Sequence, residues 1–308
     1  MLRAGLDGSA NAGNGEGMQG RRVSRSGSMR RISLGFVVLA LVGCGGTQPA
    51  CVIVPRPAVA PRPFLWRVQR GGGPVVWIYG TIHNAGAADV PTAVWAALES
   101  SPRFVSELGD REPDPDQAGE LARLPTGLGL DAQLPADDWY DLRDALRGTI
   151  REDALKRARP WFAMTRLTAK LAPSPSPSMD AALVDRARTR KLPIDNLESW
   201  DVQLAALADA VTIPDLQQAI HARRTMRCEL DQMRAFYVTG DLAIMERILV
   251  QGQSTKLLDE RTQAWLGKLE PYFARGGAFV AVGLGHLAGA HGLPALLERA
   301  GYMVERAQ

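Results

Sequence analysis

The sequence predicts an α/β fold in which duplicated β–GxxH–α–β units form a central sheet system, with a large helical insertion between them. Two observations carry this. Near its start the chain reads as an apolar strand (Val75–Tyr79), Gly80-Thr81-Ile82-His83, a helical stretch (Thr92–Glu99) and a second strand closing on Glu107. Near its end the same form returns as Phe279–Val282, Gly283-Leu284-Gly285-His286, Leu293–Ala300 and Tyr302-Met303-Val304-Glu305. A third observation fixes the class: these strands are continuously apolar or nearly so, as expected of strands buried on both faces, and helical patterns fill the space between the units.

From the N-terminus, Arg30 and Arg31 precede an apolar run, Ile32 to Val42, that ends in Leu41-Val42-Gly43-Cys44. A short basic region, a short apolar region and small residues at a cut site make a secretory signal. The run is well below the roughly 20 residues of a spanning helix. Its ending resembles the lipobox of bacterial lipoproteins, in which the cysteine receives the lipid, so Cys44 is the expected lipidation site. Gly45, rather than an aspartate, follows it, which in such lipoproteins favours the outer membrane; the expected location is the periplasmic face. Residues 1–28 are rich in Gly, Ser and Arg without an apolar period, and Met29 is the expected start. Residues 1–44 are therefore read as extension and signal. Their removal takes six arginines against Asp7 and Glu16, so 36 basic and 33 acidic side chains become 30 and 31. The basic excess belongs to the discarded segment, and nothing points to nucleic acid.

Residues 45–63, with Pro55, Pro57, Pro61 and Pro63, read as an extended tether. Residues 64–308 are enough for one sizeable domain. Cys51 and Cys228 could pair in an oxidising compartment. Within the domain Leu192–Leu197 is a further strand. Helical patterns cover Arg151–Leu171, broken at Pro160, then Met179–Arg190, Val202–Val211, Leu242–Leu249 and Leu257–Phe273. Pro173 to Ser178 is a Pro/Ser loop.

A glycine at the end of a strand lets the backbone approach a ligand closely, and a histidine three residues later projects beyond the strand. Imidazole is the commonest metal ligand and the commonest general base near neutral pH. One GxxH is a weak signal; two, each after a buried strand, in a chain with four histidines, are a moderate one. His221 lies in a charged helical stretch and is expected at the surface; His291 lies in a Gly-rich loop. Gly283-x-Gly285-x-x-Ala288 also matches a dinucleotide fingerprint, but the chain ends at Gln308, which leaves no nucleotide-binding half to follow. There is no HExxH, GxSxG or CxxC.

The stretches Trp77-Ile78-Tyr79-Gly80-Thr81-Ile82-His83, Leu197-Glu198-x-x-x-x-Gln203, Leu257-Leu258-Asp259-Glu260-Arg261 and Val282-Gly283-Leu284-Gly285-His286-Leu287-Ala288-Gly289 resemble the TraB/GumN family, from about Phe64 to Arg306. That family includes the Tiki proteins, which act as membrane-tethered metalloproteases. The resemblance implies a metal-dependent hydrolase fold with paired GxxH motifs, an acidic residue after the second strand and an arginine before the last, matching His83, His286, Glu107 and Arg261. The family usually has Arg-Asn where this chain has Arg261-Thr262.

On this reading His83 and His286 bind a divalent metal ion (manganese, cobalt or zinc), with Glu107 as third ligand or base. Two histidines and a carboxylate leave a position open for water. Glu198 takes the other carboxylate role, and Arg261 clamps a substrate carboxylate or stabilises an oxyanion. Two functions follow. One is a membrane-tethered metal-dependent hydrolase, a peptidase acting on peptides in the cell envelope. The other is a non-enzymatic lipoprotein that binds or sequesters a peptide or small signal molecule in the same cleft.

Overall fold

The structure is a computed structural model that describes residues 62–250 and 257–308. The expectations for Met29, Cys44, Cys51 and most of the tether fall outside the described residues. Cys228, in the helix Met226–Thr239, is disulfide-bonded.

Six strands form one mixed sheet: β1 (Leu65–Gln69), β2 (Val76–Thr81), β3 (Phe104–Ser106), β4 (Ile194–Asn196), β5 (Ala278–Gly283) and β6 (Met303–Arg306), in the order β4-β3-β5-β2-β1-β6. The two GxxH strands are parallel neighbours, with Gly80 opposite Val282 and Thr81 opposite Gly283. β5 is buried along nearly its whole length, as its unbroken apolar run requires of a central parallel strand. β3 lies on its other side, and β4 on β3, both parallel.

The two units are neighbours in the sheet without being equivalent in it. β2 reaches β3 past a single strand, whereas β5 is separated from β6 by β2 and β1. β1, antiparallel to both β2 and β6, is a strand that the apolar runs did not disclose, because Arg67 and Gln69 interrupt its sequence. β6 is an edge strand with Met303 exposed, so its apolar stretch is covered on one side only.

The helices divide between two cores. One packs on the sheet and includes Leu98, Leu183, Trp265, Leu269 and Leu297. The other is all helical and gathers Leu142, Trp161, Leu167, Leu216 and Ile220 from the middle of the chain. This second core is the expected helical insertion, and Met233 packs against both. Pro160 acts as foreseen: it is the first residue of the helix Pro160–Leu171, after a separate short helix Glu152–Lys156. There its missing N–H costs no hydrogen bond. Among the described residues no helix is long and apolar enough to cross a membrane.

Candidate functional site

Each GxxH glycine is packed against the opposite unit, Gly80 the more tightly. A Cβ on Gly80 would stand 2.6 Å from Leu284 Cδ1 and 3.3 Å from Leu284 Cα, the residue after Gly283. A Cβ on Gly283 would stand 3.3 Å from Glu107 Oε1, at the end of the first unit. Both glycines serve close approach, and they bring the carboxyl ends of β2, β3 and β5 together. The Tyr237 hydroxyl, 2.7 Å from the Gly80 carbonyl, pins the first motif from behind.

His286 sits in a short 3-10 turn, Leu284–Leu287, and is 3% exposed. Its ring lies 4.2 Å from the Trp265 ring, centroid to centroid. Nδ1 is 2.7 Å from the Thr262 hydroxyl, and that hydroxyl lies 2.6 Å from the Leu258 carbonyl. A hydroxyl has one proton to donate. Thr262 gives it to the carbonyl, so His286 must donate from Nδ1 and carry its lone pair on Nε2. Burial and then the Arg261 charge hold the ring well below its ordinary pKa, so it is neutral. Thr262, where the resemblance placed an Asn, thus fixes the tautomer of the second motif histidine.

Nε2 of His286 faces Glu107 Oε1 at 3.9 Å. That oxygen also accepts the Gly283 N–H at 2.7 Å. The other Glu107 oxygen accepts from Arg261 at 3.2 Å and lies 3.5 Å from Gln203 Nε2. Arg261 additionally grips Glu198 with two nitrogens, one of them 3.0 Å from Oε2, and donates to the Leu257 carbonyl. Trp265 Nε1 completes Glu198 at 3.3 Å. Glu198 and Arg261 are 2% and 7% exposed, so the charged run Lys256 to Arg261 turns this arginine inward. Two carboxylates share one guanidinium. Burial raises the Glu107 pKa, Arg261 opposes it and Glu198 adds to it, leaving the carboxyl above its ordinary range.

His83 stands at the rim, with Nδ1 3.4 Å from Asp180 Oδ2 and about a third of its side chain exposed. Burial disfavours its charge, but the Asp180 carboxylate outweighs burial and raises its pKa. Asp180, opening the helix Met179–Thr189, is held below its ordinary range despite burial by His83 and by Thr81. Of the residues expected at the site, Glu107, Glu198, Arg261 and His286 form one contiguous cluster, and His83 pairs with Asp180 at the neighbouring strand end. His221 is mostly exposed and bonds Asp138 at 2.7 Å, away from the cluster, and His291 is exposed. Asp180 is a functional candidate that the sequence reading did not single out, and Thr262 was marked there only as a departure from the family's Arg-Asn pattern. Nothing in Met179-Asp180 distinguishes it from an ordinary acidic first turn of a helix.

Among the described residues no group of three or more His, Cys, Asp or Glu side chains is arranged to hold a metal ion. The donors nevertheless suit one chemically. His286 is neutral with its lone pair on Nε2, 3.9 Å from a carboxylate oxygen, and an electrophile placed between two acceptors would stabilise both. The carboxylates outnumber their guanidinium, which leaves negative charge for a cation to offset.

Replacing Asp180 with Asn removes the charge that raises His83. The His83 titration midpoint, followed by NMR, is expected to fall. In the wild type the raised His83 pKa contributes stability in full below its ordinary 6.5 and loses it as pH rises through the raised value. Asp180 contributes above its ordinary 3.8 and loses this as pH falls through its depressed value. The stability difference between wild type and Asp180→Asn should therefore peak between these limits; a flat difference from acid to alkaline pH contradicts the pairing.

The chain matches the TraB/PrgY/gumN family over residues 64–306, which includes every residue of this site. Comparisons with curated proteins and with solved structures gave no match. Over nearly all of its described length, the chain belongs to the TraB/PrgY/gumN family.

Proposed function

We propose that this chain is a lipid-anchored, metal-dependent hydrolase, a peptidase acting on peptides at the periplasmic face of the outer membrane. The observation that carries the reading is the approach of His286 Nε2 to Glu107 Oε1 at 3.9 Å, inside a buried cluster with one guanidinium for two carboxylates. His286 and Glu107 would hold a divalent ion, with His83 as the third donor; manganese, cobalt and zinc all accept such ligands. The ion would supply Lewis-acid activation of water and of the scissile carbonyl.

The protein's own groups do the rest. Thr262 keeps the Nε2 lone pair of His286 available. Asp180 orients His83. Arg261 is buried and spent on two carboxylates and a carbonyl, so it acts as a positioning residue that keeps Glu107 aimed at His286, ahead of any role as a substrate clamp. Glu198 anchors that arginine.

Binding of a peptide or signal molecule without turnover is the second reading. It is favoured by the lack, among the described residues, of a three-ligand group already assembled. Metal content of the purified full-length chain separates the two. On the hydrolase reading, His83→Ala or His286→Ala alone should remove most bound metal, and the double variant should add little, because ligands of one ion act as a unit. Small, additive losses, or no metal in the wild type, favour the binding module.

The anchor has its own test. Cys44→Ser should move the protein from the membrane fraction to the soluble periplasm with its fold intact. Equal membrane retention contradicts lipid attachment at this cysteine.

A further inference from the structure

A cavity of about 50 Å³ opens beside the site, between the carboxyl ends of β2 and β5 and the helical layer. Thr81, His83, Gly283 and Gly285 form its inner wall, so it is continuous with the candidate site. The rest of its lining is mainly apolar, with Ala172, Leu230, Met233, Leu249 and Leu284, and Ser174 and Asn84 add polar groups. His83 is its one titratable wall residue among those described. Ligands of open parallel sheets bind in this position, beyond the carboxyl ends of the strands.

We propose that this cavity is a specificity subsite that receives one aliphatic side chain, of leucine or methionine size, from a peptide substrate beside the bond to be cleaved. The inference rests on the hydrolase reading for the word substrate, and on the cavity alone for the chemistry of what enters. Size sets the occupant: a cavity of about 50 Å³ holds roughly three to five water-sized groups, enough for a leucine or methionine side chain and too few for a fatty acyl chain. Charge sets it too, since a charged side chain would be desolvated among Leu230, Leu249 and Leu284, each less than a tenth exposed, no carboxylate lines the wall to meet a basic one, and the one titratable wall residue, His83, is already engaged by Asp180. Asn84, also in the wall, donates from Nδ2 to the Leu230 carbonyl, while its Oδ1 is closed to solvent and has no hydrogen-bond partner; a small turn of the side chain would offer that oxygen to a peptide N–H.

The test is binding to the full-length chain, followed by NMR, with N-acetyl-L-leucinamide, N-acetyl-L-alaninamide, N-acetyl-L-phenylalaninamide, N-acetyl-L-glutamic acid amide and octanoate as probes. The leucine probe should bind roughly tenfold or more tighter than the glutamic acid probe. Ala172→Leu, which fills the cavity, should weaken the leucine probe roughly tenfold and leave the alanine probe nearly unchanged. Met233→Ala, which enlarges it, should shift preference towards the phenylalanine probe; thermal unfolding of both variants establishes that they are folded. Equal binding of the leucine and glutamic acid probes, no binding of any probe, or a preference unmoved by either variant overturns the subsite. Tighter binding of octanoate than of leucinamide, lost in Ala172→Leu, overturns it in favour of a lipid site. Selective leucinamide binding by a chain that cleaves nothing would defeat the hydrolase reading and leave the subsite standing. Cleavage of a mixed peptide library with no side-chain preference beside the cut would do the reverse.

Discussion

Arg261 is buried between Glu107 and Glu198, and the geometry of the site depends on that one guanidinium. Taking three charges out of water is costly, and a buried arginine repays the cost only with good geometry and further hydrogen bonds. Here the two-nitrogen grip on Glu198, the single bond to Glu107 and the bond to the Leu257 carbonyl supply them, as do Trp265 Nε1 and the Gly283 N–H on the carboxylates. The partners come from the ends of β3, β4 and β5 and from the helix Asp259–Arg275. The arginine therefore ties the carboxyl edge of the sheet to the helix that also carries Thr262 and Trp265. Removing Arg261 would leave two buried carboxylates facing each other without their counter-charge, so the cluster depends on it as one unit.

What this unit presents is an imbalance. Glu107 is pushed towards protonation by burial and by Glu198, and drawn back by Arg261. His286 is kept neutral beside it. A site with surplus acceptors, one of them a histidine whose tautomer is fixed by a neighbouring hydroxyl, is suited to receive a cation or a proton. His83, drawn the other way by Asp180, stands at the mouth, where the same strand end forms the wall of the apolar cavity. Charge chemistry on one side and an apolar wall on the other match the needs of a group that must bind a side chain and act on the bond next to it.

Much of this was legible in the sequence because central parallel strands announce themselves as unbroken apolar runs. Val75–Tyr79 and Phe279–Val282 were readable as buried strands, and their glycine and histidine spacing located both strand ends. β1 was hidden because Arg67 and Gln69 break its run in an antiparallel strand near the edge of the sheet. The helix Met226–Thr239 was blurred by its charges, Arg227, Glu229, Asp231 and Arg234. At the site, Glu107, Glu198, Arg261 and His286 could be named from their places at strand ends and in the resemblance. Their connection could not, because an arginine in Lys256 to Arg261 looks like a solvated helix face until tertiary packing turns it inward. Asp180 was invisible for a related reason: it has an ordinary local role as a first-turn acid and acquires its partner only through the fold. Thr262 was visible as a departure from the family pattern, but its bond to His286 was not.

The central claim is that His286 Nε2 and Glu107 Oε1 converge on a cation. Anomalous diffraction at the metal edge, from crystals of the full-length chain grown with manganese, cobalt or zinc, tests it most directly. The account predicts a peak within about 2.0–2.2 Å of both atoms for zinc, with the Thr262 hydroxyl still on Nδ1. A metal-loaded crystal with no peak between them, or with His286 rotated so that Nδ1 faces Glu107, would contradict it.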